Sequence, residues 1–131
     1  MYFIANFQHL TDQEQTEERN RRNGAFSMMV QAESSQIALE KFRQRLISFR
    51  NTSMLFDGHC KIYISQLIEF DKFPADEAVL LNFTSVVGDP VLPHIACVVP
   101  TEQSNACNIH EWNNNHPFTE GQMDSLFLSF D

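Results

Sequence analysis

Between residues 34 and 70 the hydrophobic period of the chain changes from about 3.6 to 2, and this change constrains the fold more than any other feature. The stretch "SSQIALEKFRQRLISFR" sets Ala38, Leu39, Phe42, Leu46 and Phe49 along one side of a helix over 35–50. Lys41, Arg45 and Ser48 fall on the opposite side, and Ser34 or Ser35 stands where an N-cap belongs. "NTSMLFDGH" then breaks the helix, with Asp57-Gly58 as a turn signal. "CKIYISQLIEF", residues 60–70, follows as a strand. Simple alternation places Ile62, Ile64 and Ile68 on the face of Cys60, and Lys61, Tyr63 and Glu69 on the other. A one-sided helix beside a half-buried strand calls for a sheet with the helix packed on one face.

The flanks supply further strands. "YFIANFQ", residues 2–8, and "AFSMMVQA", residues 25–32, are rich in aromatic and β-branched residues, and Phe26, Met28 and Val30 share a face. Between them residues 11–24 form a polar connection. Thr11 and Glu14 have capping-box spacing there and Gly24 stands as a C-terminal cap, but no apolar face exists to dock a helix. This segment is expected to be mobile and helical only in part. Residues 74–87 combine a helix-opening Pro74-Ala75-Asp76-Glu77 with a β-rich "NFTSVV", and the strand reading is preferred. "HIACVV", 94–99, reads as a short strand, and 101–117 as a long polar loop. At the C-terminus Thr119 and Gln122 match a capping box, and Met123, Leu126, Phe127 and Phe130 form a stripe. These features predict a short helix over 123–130, with an added strand as the alternative because "LFLSF" is β-friendly.

The expected architecture is therefore α+β: a mainly antiparallel sheet of about five strands with the 35–50 helix on one face, as in ferredoxin-like or related small α/β sandwich domains. A chain of 131 residues with 43% apolar residues suits a single domain over 1–131, and twelve phenylalanines indicate a Phe-built core.

Charge and cysteines bound the function. A net charge of −8 argues against nucleic acid as a partner. The charge is uneven: residues 1–61 carry eight basic and seven acidic side chains, and residues 62–131 carry one lysine against ten acids. No apolar run approaches the length of a membrane span, and "MYFIANFQHL" lacks the marks of a signal peptide. With three cysteines, too few and unevenly spaced for a disulfide framework, a cytoplasmic location with reduced thiols is expected. The sequons at Asn51 and Asn82 then have no use.

Ligand-type residues gather at "CNIHEWNNNHPF", 107–118. Cys97, Cys107, His110 and His116 are a tetrahedral zinc donor set by type, but their C-x9-C-x2-H-x5-H spacing contains one tight pair only. A zinc-protease helix would need a histidine at 114, where Asn114 stands. His94 and Cys97, three apart on a strand, point to opposite faces and form no nucleophile–base pair. Four scattered glycines build no phosphate loop. No cofactor is expected. The residues left without a structural explanation are His110, Glu111 and Trp112, a candidate recognition patch. The preferred function is a small acidic protein-interaction module without catalytic activity, binding a protein partner or itself as a homodimer. A ligand-binding protein or enzyme with a pocket between helix and sheet, and a zinc-stabilised domain, are the alternatives.

Overall fold

The computed structural model of the chain describes residues 1–81, 83, 85, 87–89, 104–111 and 126–131. Its elements are β1 (Tyr2–Thr11), a 3₁₀ turn (Glu18–Asn20), β2 (Arg22–Gln31), α1 (Ser35–Thr52), β3 (Cys60–Phe70), β4 (Asn108–Glu111) and β5 (Leu126–Phe130). The strands form an antiparallel open sheet in the order β2-β1-β3, with β4 and β5 both on the outer side of β3. β5 pairs with Cys60–Tyr63 and β4 with Gln66–Glu69. β4 and β5 thus run in the same direction along the outer side of β3. Because β1 is antiparallel to both β2 and β3, those two are parallel to each other, and α1 carries the chain between them across β1. The class is α+β, as the periodicity predicts.

α1 forms because its apolar stripe meets the sheet. Ser34 is the N-cap, its Oγ accepting from the Ile37 N–H at 3.2 Å, and Ala38, Phe42 and Leu46 are buried. Phe42 meets Phe7 of β1 edge-on with centroids 5.8 Å apart. Phe7 is also stacked on Phe26 at 5.0 Å and lies 5.3 Å from Phe127, so one ring joins β1, β2, α1 and β5. Burying each such ring stabilises the fold by about 1.5–3 kcal/mol. The expected phenylalanine core is present in Phe3, Phe7, Phe42, Phe56 and Phe127.

Simple alternation mis-assigns half of β3. Phe7 lies opposite Ile64 and Asn6 opposite Gln66, so Ser65 is an extra, bulged residue whose Oγ donates to the Asn6 carbonyl at 3.0 Å. A one-residue slip exchanges the faces beyond it. Leu67 therefore joins Ile62 and Ile64 beneath α1, while Ile68 turns to the other face and lines up with Ile4 of β1 and Ile109 of β4. That far face continues into Tyr2, stacked on Phe70 at 5.6 Å and edge-on to Phe73 at 5.3 Å.

Other boundaries also differ from expectation. β1 runs on to Thr11, and β2 starts at Arg22, so the polar connection shortens to 12–21. Thr11 caps nothing: it is buried, and its Oγ1 donates to Cys60 Sγ at 3.5 Å. Gly24 ends no helix; it lies in β2 under the His9 ring, where an added Cβ would come within 2.8 Å of Nε2. The expected turn lies just before Asp57-Gly58, at Leu55-Phe56, with the Asp57 N–H donating to the Met54 carbonyl at 3.5 Å. Gly58 has φ +91°, and its Cα faces the Asp12 carboxylate so closely that a Cβ would meet Oδ1 at 2.5 Å. Residues 74–81 are neither strand nor helix. Leu80 and Leu81 are held through their carbonyls by the Ser104 hydroxyl, and exposure of most of this stretch removes the reason for a strand. The C-terminal element is the strand β5, not a helix: Phe127 enters the core and Leu126–Phe130 complete the β3 ladder. The 94–99 strand and Thr119–Met123 lie outside the described residues. Among the described residues no helix is long and apolar enough to cross a membrane.

Candidate functional site

The polar loop expected over 101–117 contains β4. His110 lies opposite Leu67, Asn108 opposite Glu69, and Glu111 opposite Gln66. His110 Nε2 stands 3.6 Å from Glu69 Oε2 and 3.4 Å from Asn108 Nδ2, both pairings made possible by the bulge that turned Glu69 to this face. Cys107 precedes the strand, exposed, with its N–H donating to the Glu69 carbonyl at 2.6 Å. Partial desolvation and the Asp71 carboxylate push its thiol up, which makes it a poor nucleophile at neutral pH. Trp112, Cys97 and His116 lie outside the described residues. Of the four zinc candidates, then, Cys107 and His110 are placed, on neighbouring parts of one strand end. Among the described residues no group of three or more His, Cys, Asp or Glu side chains converges as a metal site would require. What the β4 cluster offers chemically is a half-buried imidazole–carboxylate pair.

A different region brings more features together. Among the described residues β2 has a strand on one side only. The direction of its backbone groups follows from the ladder. Ala32 N–H donates to the Met1 carbonyl at 3.0 Å, so Ala32–Met1 is a hydrogen-bonded pair, and such pairs alternate in an antiparallel ladder. Val30, Met28 and Phe26 therefore bond β1, while Gln31, Met29, Ser27 and Ala25 aim N–H and C=O outward. The Gln31 carbonyl confirms the direction, because it accepts from Lys41 Nζ of α1 at 3.0 Å. The side chains of Ala25, Ser27 and Met29 are exposed on the far face, and Met29 is 54% exposed.

Alongside this edge a cleft of about 350 Å³ opens between β2 and the C-terminal half of α1. Phe26, Met28, Leu46, Phe49, Leu55 and Phe56 make its wall apolar. His9 contributes the one imidazole. Its Nδ1 is 3.0 Å from Thr11 Oγ1, and burial, with the Arg22 guanidinium nearby, lowers its pKa below the ordinary histidine value, so it is neutral at physiological pH. At the rim Leu55 is 64% and Met54 82% exposed.

Two basic residues of α1, Arg43 and Arg50, tie the helix to β5, while Arg45 stacks on Phe49 of the helix itself. Arg43 stacks over Phe127 at 4.4 Å and Arg50 over Phe130 at 5.2 Å. Arg50 also donates to the carbonyls of Phe56, Gly58 and Asp131. The β2 edge itself had a signal in the sequence: residues 23–31, "NGAFSMMVQ", hold no charge and no proline, the usual protections of an exposed edge strand. Comparison with protein-family models, with curated proteins and with solved structures finds no match to this chain.

Proposed function

We propose that the chain is a protein-interaction module without catalytic activity, which receives an extended segment by strand addition to β2. The observation that carries this reading is the run of outward N–H and C=O groups at Ala25, Ser27 and Met29 beside the apolar cleft. Strand addition works through two parts: backbone bonds hold the incoming segment, and pockets for its alternate side chains select it. Here an incoming strand would place every second side chain over Phe26, Met28 and Leu55, where the cleft accepts an apolar group. The uncharged edge suits an apolar segment, and the acidic 62–131 half of the chain disfavours an acidic one. A cytoplasmic location remains part of this reading.

The test is selection of displayed random peptides on the purified protein, followed by amide chemical-shift mapping. Selected peptides are expected to alternate apolar residues, to shift the amides of Ala25, Ser27 and Met29, and to lose binding to Ser27→Pro. Peptides that map to β4, or that bind Ser27→Pro as well as the native chain, would contradict the reading.

The cleft also favours a second reading, a site for a small apolar ligand between helix and sheet, with His9 and Ser27 as its polar contacts. Binding of small aromatic fragments that shift His9, Phe49 and Leu55 and leave the β2 edge amides unmoved would favour this reading over strand addition.

A further inference from the structure

Resting on the strand-addition reading, we propose that the segment received by β2 is β2 of a second copy, paired antiparallel about a two-fold axis at Ser27. A two-fold pairing of antiparallel strands must set one residue opposite its own copy, because paired residues share a face. The outward positions of β2 choose that residue. They are Asn23, Ala25, Ser27, Met29 and Gln31, a set symmetric about Ser27, and Lys41 holds the Gln31 carbonyl at one end.

The consequences of this register agree with one another. Ala25 faces Met29 of the second copy and Ser27 faces Ser27, so a small residue meets the large exposed one and two small residues meet on the axis. On the helix side Phe26 faces Met28 of the second copy, and the reverse, which covers the cleft and its exposed rim at Leu55. Just outside the strands Arg21 comes opposite Glu33 of the second copy at both ends, an opposite-charge pair made twice by symmetry. Glu33 is exposed, and Arg21 uses one guanidinium nitrogen on the Gln15 and Thr16 carbonyls, leaving further donors. The net charge of −8 opposes self-association in general, but the acidic excess lies in residues 62–131, and among the described residues none of these pairs with β2. A basic partner protein would find no carboxylate on residues 23–31 to meet it, whereas a second copy finds its own complement.

Sedimentation velocity of the full chain over a concentration series tests this. A monomer–dimer equilibrium is expected. Glu33→Arg or Arg21→Glu alone should raise the dissociation constant about three- to thirtyfold, and the two together should restore it. Ser27→Pro, whose lost N–H points away from β1, should raise it about tenfold or more. If Ser27→Pro fails to fold, the charge reversals still decide, since both positions lie outside the core. Monomer at every concentration overturns the proposal, as does a dimer that neither the proline nor the reversals weaken. Self-pairing then fails alone if selected peptides still bind β2 of the monomer. If peptides also leave β2 unmoved, strand addition fails with it.

Discussion

His9 illustrates how one residue's surroundings set its chemistry. Its ring lies over Gly24, bonds Thr11 and lines the cleft, and burial together with Arg22 lowers its pKa. An imidazole with a folded pKa below its unfolded value of about 6.5 binds protons more readily when unfolded, so its contribution to stability is complete above that value and is lost as pH falls toward the folded pKa. His9→Gln has no such titration. Urea unfolding of the two chains from about pH 7.5 to about pH 5.5 should therefore show the native chain losing stability relative to the variant as the pH falls. A difference independent of pH, or one growing in favour of the native chain in acid, would contradict the burial of this ring. Cys60, beneath the neighbouring Thr11, is the thiol counterpart: burial raises its pKa and leaves it a packing residue.

Elements differ in how much of themselves they display in the sequence. α1 was legible because its stripe and its cap agree: Ser34 bonds Ile37, and Ala38, Phe42 and Leu46 are buried. Replacing Ser34 by Ala should cost about 1 kcal/mol of stability in a denaturant titration, the usual loss of an N-cap. No loss would mean that the helix start is held by its packing alone. β3 was legible as a strand but not in its faces. Ser65 carries no mark of a bulge, and only the register of β3 against β1 shows why Leu67 rather than Ile68 lies beneath α1. β4 was hidden because Asn108, His110 and Glu111 are polar and Ile109 alone contributes to an apolar face. The sequence of β5 favours a helix over the strand alternative because Leu126, Phe127 and Phe130 fit that period, while its partner segment at 60–63 lies some sixty residues earlier in the chain and exerts no local influence. As for the site, the sequence marks His110, Glu111 and Trp112 as a candidate recognition patch. The more developed surface arises from an absence of charge over residues 23–31 of β2, a signal without meaning until β2 is known to be an edge.

For the whole molecule, the two sides of the sheet are finished differently. Among the described residues the β3 side is covered by β4 and β5, and the β2 side presents ten residues of strand with a cleft beside them. α1 joins these halves, reaching β5 through Arg43 and the β2 edge through Lys41. Association at β2 would extend the sheet without disturbing this core, since the groups it uses point away from β1. Residue-resolved amide exchange of the protein, dilute and concentrated, tests that claim most directly. In dilute solution Phe26, Met28 and Val30 should be protected and Ala25, Ser27 and Met29 should exchange fast. At high concentration, or with a selected peptide, the second set should slow while the first is unchanged. Protection of Ala25, Ser27 and Met29 at every dilution, or fast exchange under all conditions, would contradict the account of β2 as a docking edge.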